Sequence, residues 1–283
     1  MHRWFLEIAL DHTAAVSALA EGLDAARVTS SGLRALRDDV YLGYLAFLDP
    51  VREAGLPVCC PAVPASDKRL LARDVYDLAL AAKLTTDGGR VVTNDLRLDG
   101  AERVLVVSGP NQGGKTTLAR AFGQLHHLAA LGCPVPGREV RVFLPDRVFT
   151  HFERAERPDD LAGKLEEELL RMRAILERAT SRSVIVLNEV FSSTTPGDAR
   201  GLSESMLASI VRLDAPCLWV SFVDELSLMS PTAVSMVGTV ADDGRSTRTY
   251  KVVRRPADGC AHALAIAERH GLTYARIIER VRR

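Results

Sequence analysis

The fourteen residues from Val104 to Thr117 (VLVVSGPNQGGKTT) constrain the fold of this chain more than any other stretch. An apolar, β-branched run leads into a glycine-rich turn, and apolar residues at helical spacing follow it (Leu118, Phe122, Leu125, Leu128, Leu131). The expected unit is a buried strand, a tight loop and a helix. Gly109 to Thr116 fits G-x-x-x-x-G-K-[ST], the pattern of a phosphate-binding loop. Glycines let successive backbone N–H groups converge on phosphate oxygens, and the helix N-terminus adds partial positive charge. Lys115 adds a full charge, and the Thr116 hydroxyl is a ligand for Mg²⁺. The candidate nucleotide contacts are therefore Gly109, Pro110, Asn111, Gln112, Gly113, Gly114, Lys115, Thr116 and Thr117. The alternative is a glycine turn of purely structural role.

At 283 residues the chain has room for one large domain or two small ones. Its 36 Lys+Arg balance 36 Asp+Glu, so nucleic-acid binding would need a local patch rather than overall charge. The five cysteines (Cys59, Cys60, Cys133, Cys217, Cys260) show no C-x-x-C spacing. That argues for reduced thiols and a cytoplasmic setting over a disulfide framework or a zinc site. No basic segment precedes a long apolar run at the N-terminus, and no apolar stretch reaches roughly 18 residues, so no membrane partner is expected.

Taken in order, residues 1 to about 50 show helical spacing, with breaks around Thr29-Ser30-Ser31-Gly32 and at Pro50. Pro57, Pro61 and Pro64 mark an irregular connection. Arg73 to Leu84 suits a short helix, and Arg90 to Asn94 a strand leading to the loop. After the loop helix, short strands are expected around Val140 to Leu144 and Val148 to Phe152. An amphipathic helix follows from Asp160 to about Ala179, then a strand at Val184 to Leu187, a helix from about Ala199 to Leu213 and a strand at Cys217 to Ser221. This alternation points to an α/β fold with a parallel sheet covered on both faces. Val234 to Val240 and Thr247 to Val253 look like an antiparallel hairpin at its edge, and Ala257 to His270 and Tyr274 to Arg282 like two closing helices.

In phosphate-loop ATPases the strand beside the loop strand usually ends in an acidic residue that holds the Mg²⁺ shell, often followed by a glutamate that polarises water. Here Val184 to Glu189 supplies the strand and the glutamate, and the expected aspartate is Asn188. Its amide oxygen can accept a hydrogen bond from a Mg²⁺-bound water, but it carries no charge.

Together these residues resemble the ATPase domain of the MutS family of mismatch-repair proteins. Gly109 to Thr116 is similar to that family's GPNxGGK[ST], a narrower pattern than the general loop. The likeness continues through Gly132-Cys133-Pro134-Val135-Pro136, Asp146 to Thr150, Asp159-Asp160-Leu161-Ala162 and Leu187 to Asp198. It takes in Val91 to Leu98, the hairpin and the closing helices, about two thirds of the chain in all. The resemblance implies a P-loop NTPase of ABC/MutS type, with a mainly parallel sheet flanked by helices and an N-terminal helical segment. Residues 1–66 would be that segment, the end of the family's lever region, and 67–283 the ATPase domain. It further implies ATP and Mg²⁺ as ligands, a homodimer, and DNA or a protein as partner.

Departures from the family pattern are as specific as the match. The length leaves no room for a mismatch-reading domain, a connector and a clamp. A serine-containing loop that completes the partner subunit's site is shortened to Gly163-Lys164, and a histidine near the γ-phosphate aligns with Phe222. With Asn188, three polar parts of the hydrolytic machinery are altered, and slow turnover is expected.

Several residues carry two readings each. Glu189 is the water-activating base or a structural carboxylate at a strand end. Lys164 reaches a partner's phosphate or pairs with Glu168. Asp198 meets a partner subunit or caps the following helix. Phe222 is packing rather than chemistry, and the adjacent His126 and His127 suggest no further metal. Arg254 lies close to where relatives place a residue against the nucleotide base, where it would stack on adenine. The tail from Arg245 to Arg283, with ten Lys/Arg against three Asp/Glu, is a DNA-backbone footprint or a solvated or dimer-forming surface. The functional expectation is a slow, nucleotide-dependent dimerising ATPase acting in DNA repair or recombination. A non-hydrolysing nucleotide switch is the alternative, and a phosphoryl transferase a weaker third.

Overall fold

A computed structural model describes residues 30–64, 66–152, 163–241, 248–257 and 272–281. The region before Ser30, the Asp159 to Ala162 segment, the hairpin turn at Asp242 to Gly244 and nearly all of the helix expected over Ala257 to His270 lie outside these residues.

The chain forms two compact units. The described part of the smaller one covers residues 30–58 and 78–91, and that of the larger one 59–77 and 92–281. Residue 66, the expected boundary, lies within the 59–77 stretch of the larger unit.

In the smaller unit helix α1 (Ser30–Glu53) packs on α2 (Leu78–Thr86). Pro50, expected as a break, stands inside α1. It does so within the last turn, where the missing N–H removes a single intrahelical bond, and the helix closes through Ala54 N–H to the Pro50 carbonyl at 3.1 Å.

The two-residue β1 (Val58–Cys59) straddles the unit boundary, and the larger unit continues with β2 (Leu70–Val75), β3 (Asn94–Leu98) and β4 (Val104–Ser108), followed by α3 (Lys115–Ala130). Next come β5 (Val135–Pro136), β6 (Glu139–Arg141), β7 (Val148–His151), α4 (Lys164–Arg178), β8 (Val184–Asn188), α5 (Pro196–Leu213) and β9 (Cys217–Val220). A 3₁₀ turn (Asp224–Leu228), β10 (Ala233–Val240), β11 (Arg248–Arg254) and α6 (Tyr274–Val281) complete it.

The main sheet runs β11-β10-β4-β9-β8-β7, with every pair parallel except the β10–β11 hairpin at its edge. Every residue of β4, β8 and β9 is buried, the signature of parallel strands covered on both faces. Val104, Val106, Ile185, Leu187, Cys217 and Trp219 share one core with Met172 and Ile175 of α4 and Met206, Leu207 and Ile210 of α5. The intervening side chains point to the other face, which α3 covers: a Cβ added to Gly123 would lie 3.5 Å from Val186.

Three sequence expectations change. The helix expected over Arg73 to Leu84 divides, since Arg73 to Val75 belong to β2 and the helix begins at Leu78. Asp74 has φ of +53°, a kink that hides the strand's alternation. The strand expected at Arg90 to Asn94 starts only at Asn94, where pairing with β2 begins. Finally, β8 is not beside the loop strand, because β9 is hydrogen-bonded between β4 and β8. A third parallel strand thus separates the loop from Asn188.

Candidate functional site

The register sets Val107, Val220 and Asn188 level across β4, β9 and β8. Their carboxyl ends therefore share one edge of the sheet, where open α/β sheets gather ligands. With strands about 4.8 Å apart, Asn188 lies roughly 10 Å across the sheet from the start of the glycine loop.

Positive φ angles shape the loop: +121° at Gly109, +59° at Gln112 and +92° at Gly114, which also caps α3. A Cβ on Gly109 would come 2.8 Å from the Gly238 nitrogen, and one on Gly113 would come 2.8 Å from the Pro110 carbonyl oxygen. Only glycine fits either place. The loop closes on itself through Gly113 N–H to the Pro110 carbonyl at 3.1 Å. Pro110 and Gly113 are buried, Asn111 and Gln112 exposed, and Thr116 and Thr117 half-buried.

Lys115, in the first turn of α3, is only 4% exposed. Its ammonium turns back over the loop and donates to the carbonyls of Gly109 (2.8 Å) and Pro110 (3.1 Å) and to Asn111 Oδ1 (3.3 Å). Burial pushes its pKa down from the usual lysine range, partly offset by the carboxylates of Glu189 and Asp224. Asp224 is a feature the sequence reading missed: it lies four residues past the end of β9 and bears on Lys115 as Glu189 does.

Phe222, at the same edge, is 52% exposed, and the Lys115 Nζ lies 5.8 Å from its ring centroid. The expectation that Phe222 serves as packing is corrected, because its ring faces the site rather than the core. Glu189 is half-buried with φ of +55°, and its N–H donates to the Val220 carbonyl at 2.9 Å. Asn188 is 6% exposed, and its Oδ1 has no hydrogen-bond partner among the described residues. A buried acceptor without a donor calls for one. The loop cradle, the buried lysine and this orphan oxygen together fit a phosphate-bearing ligand with a hydrated divalent cation.

Glu168 of α4 is buried and accepts from Phe191 N–H (3.0 Å) and the Ser193 hydroxyl (3.4 Å), tying α4 to the turn after Glu189. Lys164 opens α4, half-buried. Asp198 takes part in a helix cap: Thr195 is the N-cap of α5, its Oγ1 accepting from Asp198 N–H (3.2 Å) and donating to Asp198 Oδ2 (2.8 Å). His126 is buried inside α3 and His127 is half-buried.

The edge hairpin approaches the loop through residues that the sequence did not single out. Arg248 Nε donates to the Asn111 carbonyl at 2.9 Å, and a Cβ on Gly114 would lie 3.6–3.7 Å from Tyr250. Gly238, an isolated glycine inside a strand pattern, carried a readable signal of close backbone approach. Arg254 is turned elsewhere: its guanidinium donates to Glu102 and lies 3.9 Å from Asp99, in the turn leading to β4. Lys251 bonds to the Thr93 carbonyl. Arg248, Lys251 and Arg254 thus bond within the larger unit, and residues 245–247, 258–271 and 282–283 of the basic tail lie outside the described residues.

Residues 105–282 match MutS domain V. The DNA mismatch repair protein MutS of Chlorobium phaeovibrioides is 33% identical over 199 residues, which cover 68% of this chain and 22% of that protein. The protein of the same name from Brevibacillus brevis is 29% identical over 188 residues, 63% of this chain and 21% of its own length. Endonuclease MutS2 of Gemmatimonas aurantiaca is 28% identical over 189 residues, 66% of this chain and 23% of its own. The chain spans between a fifth and a quarter of the length of these relatives.

Proposed function

Because this chain belongs to the MutS family through domain V, we propose that it is a P-loop ATPase that binds Mg-ATP at Gly109 to Thr117 and hydrolyses it slowly. The observation that carries this reading is the buried Lys115 ammonium, which among the described residues donates to three oxygens of its own loop. Phosphate oxygens would replace those three acceptors and meet the converging loop N–H groups. In this role Lys115 stabilises charge on the β- and γ-phosphates, Glu189 orients the attacking water, and Thr116 with Asn188, through water, holds Mg²⁺. The cation, when bound, neutralises developing charge on the phosphate oxygens. A contact of Arg254 with the base would require its release from Glu102 and Asp99.

The output we propose is nucleotide-dependent homodimerisation that grips DNA or a protein partner in repair or recombination. It is supported by family membership and by the mismatch-repair names of the relatives. Among the described residues no helix is long and apolar enough to cross a membrane. Calorimetric titration with Mg-ATP tests the nucleotide step: the wild type should bind and Lys115→Ala should lose about 100-fold in affinity, a charge-assisted contact being worth roughly 3 kcal/mol. Equal binding by both proteins would remove this reading.

A second reading, a switch that binds ATP without turning it over, is favoured by the uncharged Asn188 and by the hydrophobic ring of Phe222 at the site. Phosphate release from wild type and Glu189→Gln separates the two, since equal rates would leave only the switch.

A further inference from the structure

Helix α4 buries Glu168, Met172 and Ile175, whose spacing sets them on one face. Met172 and Ile175 belong to the core that Val190 and Phe191 also enter. Glu168, 5% exposed, thus puts a carboxyl group where this stripe would otherwise carry an apolar side chain. A buried polar group persists where donors compensate for lost water. Two donors come from the turn after β8: Phe191 N–H at 3.0 Å and the Ser193 hydroxyl at 3.4 Å, both to Oε2.

That turn has an unusual backbone. Glu189 has φ of +55° and Phe191 of +64°, left-handed conformations that bulky residues rarely adopt. Such backbone persists only where its surroundings over-determine it, and it clusters at functional sites. Three anchors do so here. Glu189 N–H donates to the Val220 carbonyl of β9 at 2.9 Å, the Phe191 side chain is 1% exposed in the core, and Phe191 N–H is held by Glu168. Glu189 opens the turn, one residue past the end of β8 at Asn188. The direction in which its side chain leaves the backbone follows from the angles these anchors fix.

We propose that Glu168 is a positioning residue for Glu189: by accepting the Phe191 N–H it fixes the left-handed turn that aims the Glu189 carboxylate at the attacking water. This rests on the hydrolytic reading of the site, in which Glu189 orients that water. Glu168 itself touches neither nucleotide nor water and acts through the backbone. An apolar residue on the same face of α4 would fill the core, but it would leave the Phe191 N–H without this acceptor and the turn free to relax. A misplacement of about 1 Å at a reacting group can cost about 100-fold in rate.

Phosphate release at saturating Mg-ATP and calorimetric Mg-ATP affinity test the proposal on the wild type, Glu168→Leu, Glu168→Gln, Glu189→Gln and the double variant Glu168→Leu/Glu189→Gln. Leucine suits the buried stripe and removes the acceptor, whereas glutamine keeps a carbonyl oxygen at the same reach. Glu168→Leu should release phosphate about 10- to 100-fold more slowly with unchanged Mg-ATP affinity, and Glu168→Gln should stay within about threefold of the wild type. The double variant should be no slower than Glu189→Gln alone, because the two residues act as a unit. Should Glu168→Leu fail to fold, Glu168→Asp, one methylene shorter, takes its place with the same expected loss. An unchanged rate in that variant, or an affinity that falls along with the rate, would overturn this inference alone. So would a loss as large in Glu168→Gln, or a double variant slower than Glu189→Gln. Equal rates for the wild type and Glu189→Gln would overturn the hydrolytic reading, and this inference with it.

Discussion

The Lys115 ammonium lies 5.8 Å from the centre of the Phe222 ring, while its hydrogen bonds among the described residues go to its own loop. In the proposed nucleotide complex the ammonium would leave this retracted position to meet a phosphate. A cation over a half-exposed ring is stabilised by about 0.5–1 kcal/mol. Phe222→Ala should therefore tighten Mg-ATP binding by about 2- to 5-fold by loosening the retracted state. Calorimetric titration reads this directly, and an unchanged dissociation constant would show that the ring has no part in holding Lys115.

Asn188 places a neutral oxygen, without a partner among the described residues, where a charged ligand of the Mg²⁺ shell is expected. Asn188→Asp should lower the Mg²⁺ concentration needed for half-maximal ATP hydrolysis. Without nucleotide the same variant should be less stable by about 1–3 kcal/mol, because a buried carboxylate without a partner is poorly solvated. Urea unfolding of the ligand-free protein and a Mg²⁺ titration of phosphate release measure the two effects. A variant that needs as much Mg²⁺ as its parent would exclude Asn188 from the metal shell.

Two glycines make opposite predictions. Gly109 combines φ of +121° with backbone atoms of Gly238 at 2.8–3.1 Å from an added Cβ, so Gly109→Ala should destabilise by about 2–4 kcal/mol. Gly123 lies inside α3, where an added methyl would rest at ordinary contact distance, 3.5 Å, from Val186. Gly123→Ala should stabilise by about 0.5–1 kcal/mol, since alanine loses less backbone freedom in a helix. Urea midpoints of the two variants should move in opposite directions, and a destabilised Gly123→Ala would show that α3 packs more tightly on β8 than these distances indicate.

The parts legible in the sequence were those whose burial leaves no ambiguity of pattern. Strands β4, β8 and β9 are apolar throughout because both faces are covered, and the glycine loop declares itself by residue types that few other conformations require. Strand order was not legible: nothing local in Cys217 to Val220 says that it inserts between Val104 to Ser108 and Val184 to Asn188. Nor was β2, whose alternation is broken by the left-handed Asp74 and whose neighbours have helical spacing. At the site, Lys115 and Asn188 could be named in advance. Arg248 and Tyr250 could not, because their approach to the loop depends on register between strands rather than on composition.

His126 yields a prediction in pH. Its side chain is buried in α3 against Phe122, with Nδ1 3.0 Å from the Phe122 carbonyl and the ring centroids 4.6 Å apart. Burial pulls its pKa down to about 4, and the bond to the Phe122 carbonyl only partly opposes this. In the unfolded chain the imidazole titrates near 6.5. The depressed native value means that the unfolded state takes up the proton first as pH falls. The stability tied to neutral His126 is therefore complete above about pH 6.5 and is lost progressively down to about pH 4, with roughly 2 kcal/mol gone by pH 5. Replacing the imidazole by a group that does not titrate should remove this component, so His126→Gln should show a shallower fall in urea midpoint between pH 7 and pH 5 than the wild type. Identical slopes would mean that other groups carry the acid sensitivity and that His126 is not held neutral.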